Sequence, residues 1–521
     1  MSSRGGARLV AAGILLSRLA GLVRQKALAF FLGDSAAADA LASAFRIPNV
    51  LQNLLGEGVL SASFIPAYAR LRAEGRTEEA GRLAGAVVSL LAVVCSVVVL
   101  VGVLLAAPLV DLIAPGFGEA PRALTIRLVR VIFPGVGLLV LSAWCLGVLN
   151  AHRRFFLSYV SPVLWNAAMI VAVLVGAPGR GVDDVAILVA WASVVGSGLQ
   201  FLIQLPTVLR LEPGLGFRPR LTDANLRGVI ARFGTTVVGR GVVQLSGFVD
   251  TAIASLVGSG AVAILGYSQV LSILPVSLFG MAVSAAELPA MAGETGRSHA
   301  GEVAAALRVR LDRGLDRIAY FVIPTIVAFV VIGELLVYGL FGGGAFSAET
   351  ARWVHRTLIG ASLGLLANTS GRLYASACFA LGDAATPFRG ALLRVALGGV
   401  LGWIGALVLP AWLGVDARWG LQALTAAAGL AAWLEFHWLR HRVSRAIGPT
   451  SVPPRRLAAY WGLALVSVLG GLVVTVATAL VARGTGAALP GWLHAAIAAA
   501  VAGAAYLGLT ARTGIDDARR A

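Results

Sequence analysis

Apolar residues run along this chain in long blocks, separated by short stretches rich in arginine. Neither the 3.6-residue period of an amphipathic helix nor the alternation of a half-buried strand dominates. A helix that crosses a bilayer needs about 20 apolar residues. Blocks of that kind lie near 8–32, 36–69, 84–114, 123–150, 156–177, 184–209, 228–257, 260–290, 316–341, 351–380, 387–413, 419–439, 458–482 and 488–511. They predict an all-α polytopic membrane protein with fourteen transmembrane helices. The first block is too long for a cleavable signal peptide and is interrupted by charge, so it is expected to remain a span.

The breaks between blocks alternate in charge. One set holds Arg4 and Arg8, Arg70 to Arg82, Arg153 and Arg154, Arg210 to Arg227, Arg297 to Arg313, Arg389, Arg440 to Arg456, and Arg512 to Arg520. The other holds only Arg122, Arg180, Arg352, Arg356, Arg418 and Arg483. Loops rich in Lys and Arg stay in the cytoplasm. The expected product is a multi-pass protein of the cytoplasmic (inner) membrane with both termini inside and an even number of crossings.

The 521 residues are 58% hydrophobic and 13% charged, which excludes an ordinary soluble domain. The net charge of +17 is almost wholly arginine; Lys26 is the only lysine. Those arginines sit between spans, so the charge sets topology and no nucleic-acid partner is expected. Cys95, Cys145 and Cys378 lie inside apolar runs without metal or disulfide spacing, as small buried hydrophobes do. The six histidines lie mostly in loops or at span ends, and there is no phosphate loop, HExxH or hydrolase elbow. The chain is expected to be no enzyme and to need no cofactor.

Polar residues inside the apolar blocks are the informative exceptions. The first block carries Ser17, Arg18, Arg24 and Lys26, followed by Asp39. A cation at that depth costs several kcal/mol unless it faces a bundle interior or a wet cavity. From a helix start near Ala7, Arg18 lies about 16 Å deep and Arg24 about 26 Å deep. Ser17 and Arg24 share a face, and Arg18 is turned away by about 120°. The arginine fork donates two bonds at once to phosphate, which suggests an anionic substrate. Internal salt bridges to Asp39 or Glu57 are the other use of the same residues.

The second constellation is Phe45-Arg46-Ile47-Pro48-Asn49, running to Gly56-Glu57-Gly58 and Pro66. This span is expected to be bent and partly wet. Gly56 and Gly58, with the Pro48 kink, form a hinge or a tight helix contact. The third is Arg240 between Gly239 and Gly241, then Gln244 and Asp250. Arg240 and Asp250 stand about 15 Å apart along one helix and cannot pair. Arg394 is a candidate partner for Asp250, and Glu287 is another acid in need of one. A cavity or structural ion pairs would satisfy them equally. Recurrent Gly-Asp turns at Gly33-Asp34 and Gly382-Asp383, with mid-span prolines such as Pro134, Pro162 and Pro324, suit two six-helix lobes. The boundaries read as 1–209, 210–447 and an extra pair of helices at 448–521. The connector 292–315 reads as an amphipathic surface helix feeding a span.

The run from Ser17 to Arg24, Asp39-Ala40, Phe45 to Asn49, and Gly56 to Pro66 resembles the MurJ (MviN) family of bacterial lipid II flippases, within the MOP exporter superfamily. Further matches are Ala114 to Phe117, Phe133-Pro134, Gly147 to Ala151, Asp250 to Ser255, Leu274-Pro275 and Ala380 to Pro387. The resemblance implies a V-shaped pair of lobes around a cationic central cavity. It implies transport of lipid II, the undecaprenyl-diphosphate-linked disaccharide-pentapeptide, from the inner to the outer leaflet by alternating access. Membrane lipids and cell-wall synthesis proteins would be the other partners. Arg18 and Arg24 would clamp the diphosphate; Ser17, Asn49 and Arg240 are further candidate substrate contacts from the polar pattern itself. Asp39 would hold an arginine or touch the headgroup, and the last two helices would form a groove for the polyprenyl tail. Two alternatives share these features: a flippase for another polyprenyl-diphosphate glycan, and a scaffold of the envelope-synthesis machinery that no longer transports.

Three departures from the family pattern stand out. Gln52 and Val270 occupy positions where the family has arginines. Asp250 matches an acid of a sodium site, but Gly398 and Gly402 replace the other two ligands. Arg240 is expected to replace the missing cation at Val270.

Overall fold

Lipid offers no partner for backbone N–H and C=O groups, so a spanning chain must bond them within itself. Alanine, leucine and valine blocks do so as helices. The computed structural model describes residues 3–216, 222–277, 291, 300–484 and 490–515. Among these the regular structure is helical, apart from one isolated bridge between Gly343 and Phe346. The chain divides into two compact units, Met1–Ser255 and Leu256–Ala521.

The first unit contains α1 (Ser3–Leu32), α2 (Ala36–Leu55), α3 (Glu57–Ala73), α4 (Thr77–Leu104), α5 (Ala106–Ile113), α6 (Glu119–Ala151), α7 (Phe155–Gly176) and α8 (Val182–Leu211). Most of α9 (Ala224–Val257) also belongs to it. The second unit contains α10 (Ala261–Pro275), α11 (Ala300–Val331), α12 (Gly333–Phe341), α13 (Ala348–Leu363), α14 (Leu365–Ala380) and α15 (Ala385–Trp403). A π turn at Ile404–Val408 carries α15 on to Leu413. The unit ends with α16 (Trp419–Ile447), α17 (Pro454–Gly484) and α18 (Gly491–Arg512).

Among the described residues, eight helices are long and apolar enough to cross a membrane: α4, α6, α7, α8, most of α11, α15 with its extension, α17 and α18. Several of the remaining expected spans are interrupted. The block 36–69 breaks at Gly56, and the block 351–380 breaks at Gly364. The second break is a packing device: a Cβ on Gly364 would stand 2.5 Å from the Cα of Gly429, so the α13–α14 junction lies against the α16 backbone. The connector expected at 292–315 is continuous, from Ala300 onward, with the span it feeds, because α11 runs unbroken for 32 residues.

The two last helices are fastened to α11 by polar contacts. Asp316 accepts hydrogen bonds from Arg456 Nη1 at 3.0 Å and Tyr460 OH at 2.9 Å. Tyr506 OH donates to the Tyr320 carbonyl at 2.9 Å, and Tyr320 OH meets Thr510 Oγ1 at 2.9 Å. Tyr320, Tyr460 and Tyr506 are buried, so both the rings and their hydroxyls hold this joint.

The core of the first unit is built on Phe64, Tyr68, Trp144 and Val148 and closes at one end with a polar cluster. Glu212, just past α8, accepts from the Tyr68 hydroxyl and from Arg72 Nη1 at 2.5 Å. The His152 ring, just past α6, stands 3.2 Å from the same oxygen and 3.0 Å from the Tyr68 hydroxyl. Glu212→Ala would take the buried acceptor from the Arg72 guanidinium and leave the Tyr68 hydroxyl only His152, a loss of about 1–3 kcal/mol in thermal unfolding. Burial, reinforced by the Arg72 charge, holds the His152 imidazole below its ordinary pKa. The fold therefore prefers the neutral ring, while the unfolded chain takes up a proton first as pH falls. The stability from neutral His152 is complete above about pH 6.5 and declines in more acid solution. His152→Gln should flatten the loss of melting temperature between about pH 7 and about pH 5.

Candidate functional site

The apolar stretches of α1 and α7 pack closely because Gly13 has no side chain. A Cβ there would come within 2.6 Å of Tyr159 Cβ. Further along the same pair of helices, the Arg24 guanidinium centre stands 4.7 Å from the centroid of the Trp165 ring. Trp165 is held in turn by its Nε1 bond to the Ser193 carbonyl at 3.1 Å and by an edge contact with Phe45 at 6.2 Å. Arg24 Nε is buried and, among the described residues, has no hydrogen-bond acceptor. Such a cation on an aromatic face gains about 0.5–2 kcal/mol. That is less than the cost of desolvating it, so its donors are open to an anion.

Trp165 also lines a crevice with Phe45, Pro48, Asn49 and Gln52 of α2. The crevice encloses about 10 Å³, room for one water and no headgroup. Any larger ligand must therefore lie on the open side of these residues. Asn166, one residue beyond Trp165, donates to the Pro162 carbonyl at 3.0 Å, while its buried Oδ1 has no partner among the described residues.

Other expected site residues fall around this core. Arg18 is exposed on α1 and Ser17 is half-buried one residue earlier. Arg18 and Arg24 are separated by about 9 Å along the helix axis. Asp39 is buried in the first turn of α2, behind the Ser35 cap whose hydroxyl accepts from Ala38 N at 3.2 Å. Asn49 is exposed and Pro48 is buried within α2. Gly56 is the junction of α2 and α3, with φ −95° and ψ −140°, and Gly58 lies in the first turn of α3. The side chains of Glu57 and Arg240 lie outside the described residues, although both positions are helical, and so does Glu287.

The ion pairing corrects one expectation. Arg394 Nη1 pairs with Glu435 Oε2 at 3.2 Å, from α15 to α16 within the second unit, and not with Asp250. Asp250 instead acts electrostatically on Arg46 of α2. Arg46 Nε donates to the Gly247 carbonyl at 3.1 Å, one turn before Asp250. A Cβ on Gly247 would come within 2.1 Å of the Arg46 guanidinium, so the glycine makes room for it. At the two remaining positions of the sodium pattern, Gly398 and Gly402 offer no side-chain oxygen, and a Cβ on Gly398 would meet Ala431 at 3.6 Å. The donor set does not fit a sodium ion. Sequence reasoning missed Trp165 and the Arg46–Gly247 contact; both link residues far apart in the chain.

A family model described as "Lipid II flippase MurJ" matches residues 28–490. Among curated relatives, "Lipid II flippase MurJ" of Burkholderia cenocepacia is 32% identical over 381 residues, covering 72% of this chain and 73% of the relative. "Probable lipid II flippase MurJ" of Rhizobium meliloti is 30% identical over 439 residues, covering 79% of this chain and 80% of the relative. A solved structure, "Lipid II flippase MurJ, inward closed conformation", superposes with a TM-score of 0.76 at 19% identity, over 98% of this chain and 99% of that one. An inward-facing multidrug resistance MATE transporter of the MOP superfamily follows the fold with a TM-score of 0.66 at 17% identity, over 82% of this chain and 95% of that one.

Proposed function

The chain belongs to the lipid II flippase MurJ family, and on that premise we propose that it carries lipid II from the inner to the outer leaflet of the cytoplasmic membrane. The observation that carries the reading is Arg24: a guanidinium on a membrane helix, stacked on Trp165, with a buried donor that no described residue accepts. A diphosphate is the natural acceptor, because it presents oxygens in the spacing of the arginine fork. Arg18 adds a second cation toward the same headgroup. Ser17 and Asn49 supply neutral hydrogen bonds, and Asp39 holds an arginine or touches the headgroup. No covalent bond is made or broken, so the protein acts as a transporter.

The fourteen-span arrangement follows with both termini in the cytoplasm, since the arginine-rich loops then stay inside. Residues 1–209 and 210–447 act as the two lobes, and 448–521 guide the polyprenyl tail. Alternating access turns on Pro48, Gly56 and Gly58, with substrate binding favouring one state and release the other. Cell-wall synthesis proteins that consume lipid II are the expected partners on the outer side.

Arg240 supplies the cation this chain lacks at Val270. Arg240→Ala should be inactive, and Arg240→Ala with Val270→Arg should regain transport. Failure of the double variant, with both proteins inserted, would assign Arg240 to structure. The proposed activity itself is tested by depleting a host's lipid II flippase with this chain supplied in trans. Growth should be restored. A flippase for another glycan, or a scaffold, would be made and inserted yet leave the cells to lyse.

A further inference from the structure

A second cationic site lies in the first unit, away from Arg24. Arg127 and Arg130 stand one turn apart on α6 and line a cavity of about 460 Å³ with Trp191 and Val194 of α8. The two helices set its floor and walls. At Gly135 they touch: a Cβ there would stand 3.4 Å from Val194 Cα and 3.1 Å from Ser197 Oγ. The adjacent Pro134 lacks the N–H that would bond the Arg130 carbonyl, which loosens α6 where the cavity opens. Arg127 and Arg130 are exposed, and neither makes an ion pair or hydrogen bond among the described residues. Trp191 is 56% exposed beside them.

The depth of this cavity follows from α6 itself. Val131 to Leu149 contains no charged residue, and at 1.5 Å per residue it spans about 28 Å, the thickness of the hydrocarbon core. Arg130 therefore sits at the edge of the hydrocarbon and Arg127 about 4.5 Å further out, at the level of lipid phosphates. Tryptophan favours the same level. The opposite end of α6 leads to Arg153 and Arg154, so in the orientation proposed above this is the outer leaflet.

We propose that Arg127, Arg130 and Trp191 form a binding site for the phosphate headgroup of an outer-leaflet lipid. The two guanidinium forks take the phosphate oxygens, and the indole packs on the glycerol or first acyl carbons. The site rests on the orientation of the transport reading, and its test does not depend on transport.

The probe is phosphatidylglycerol. The full chain is purified in nanodiscs of phosphatidylcholine with phosphatidylglycerol and released into native mass spectrometry. Wild type should retain phosphatidylglycerol selectively. Arg127→Gln with Arg130→Gln removes both forks and should weaken that retention at least about tenfold, since each charge-assisted hydrogen bond is worth about that factor. The paired lysine variant, which keeps charge and loses the fork, should fall between. Equal retention by wild type and the glutamine variant would overturn the site, as would equal retention of phosphatidylcholine. Saturable binding of inorganic pyrophosphate to lipid-depleted protein in detergent, lost in the glutamine variant, would overturn the lipid as its occupant. Rescue of a flippase-depleted strain is scored separately. Lost rescue with lipid retention intact strikes the transport reading alone, and the reverse result strikes this site alone.

Discussion

Arg24→Ala is expected to abolish transport while the protein is still made and inserted. Arg24 makes its one described polar contact with the face of Trp165 at 4.7 Å, so removing it strands no acid in the fold. On the proposed reading, what is lost is a fork that binds the substrate diphosphate. Two charge-assisted hydrogen bonds are worth about 3 kcal/mol together, or roughly a hundredfold in transport rate. Arg24→Lys keeps the charge without the fork and should restore only part of the activity. Trp165→Ala removes the platform and should cost roughly thirtyfold or less, the range of a cation–π contact. The measurement is rescue of a flippase-depleted strain, with membrane-fraction immunoblots as the control for insertion. Full rescue by Arg24→Ala would remove the diphosphate clamp from the account.

The next largest effect is expected at the junction of α2 and α3. A Cβ on Gly56 would come within 2.3 Å of the Gln52 carbonyl oxygen and within 3.6 Å of Ala143 Cβ. Backbone carbonyls cannot step aside as a flexible side chain can. The junction must either straighten or open, and both change the angle between α2, which carries Asp39 and Asn49, and α3. Gly56→Leu should therefore hold the protein in one state. Substrate should still bind, since Arg18 and Arg24 lie on another helix, but transport should stop. Normal transport by Gly56→Leu would show that the break is a packing feature and no hinge.

The sequence was most legible where a polar residue violated the apolar pattern. Arg18, Arg24 and Lys26 marked α1 because lipid tolerates no idle cation. Pro48, Gly56 and Gly58 marked a bent span, and the helix does break at Gly56. The break at Gly364 was invisible, because the chain around it reads as continuous apolar helix and its cause is Gly429 on α16. The π turn at Ile404–Val408 left no signal in its residues for the same reason. Partners were the weakest part of the reading. Hydropathy ranks residues by cost of burial and says nothing about which two meet. Charge alone matches Arg394 to Asp250, whereas helix packing places it on Glu435. Trp165 went unnoticed because an aromatic in an apolar run looks like any other core residue, and its role comes from an arginine far back in the chain.

On the reading proposed above, this chain moves lipid II across the membrane through the Arg24 site. The most direct measurement is the fraction of lipid II accessible from outside, in cells depleted of their own flippase and expressing this chain or its Arg24→Ala variant. The wild-type chain is expected to restore outer-leaflet lipid II, and the variant to leave it trapped inside. Lipid II that stays inaccessible with the wild-type chain inserted, or becomes accessible with either chain alike, would contradict it.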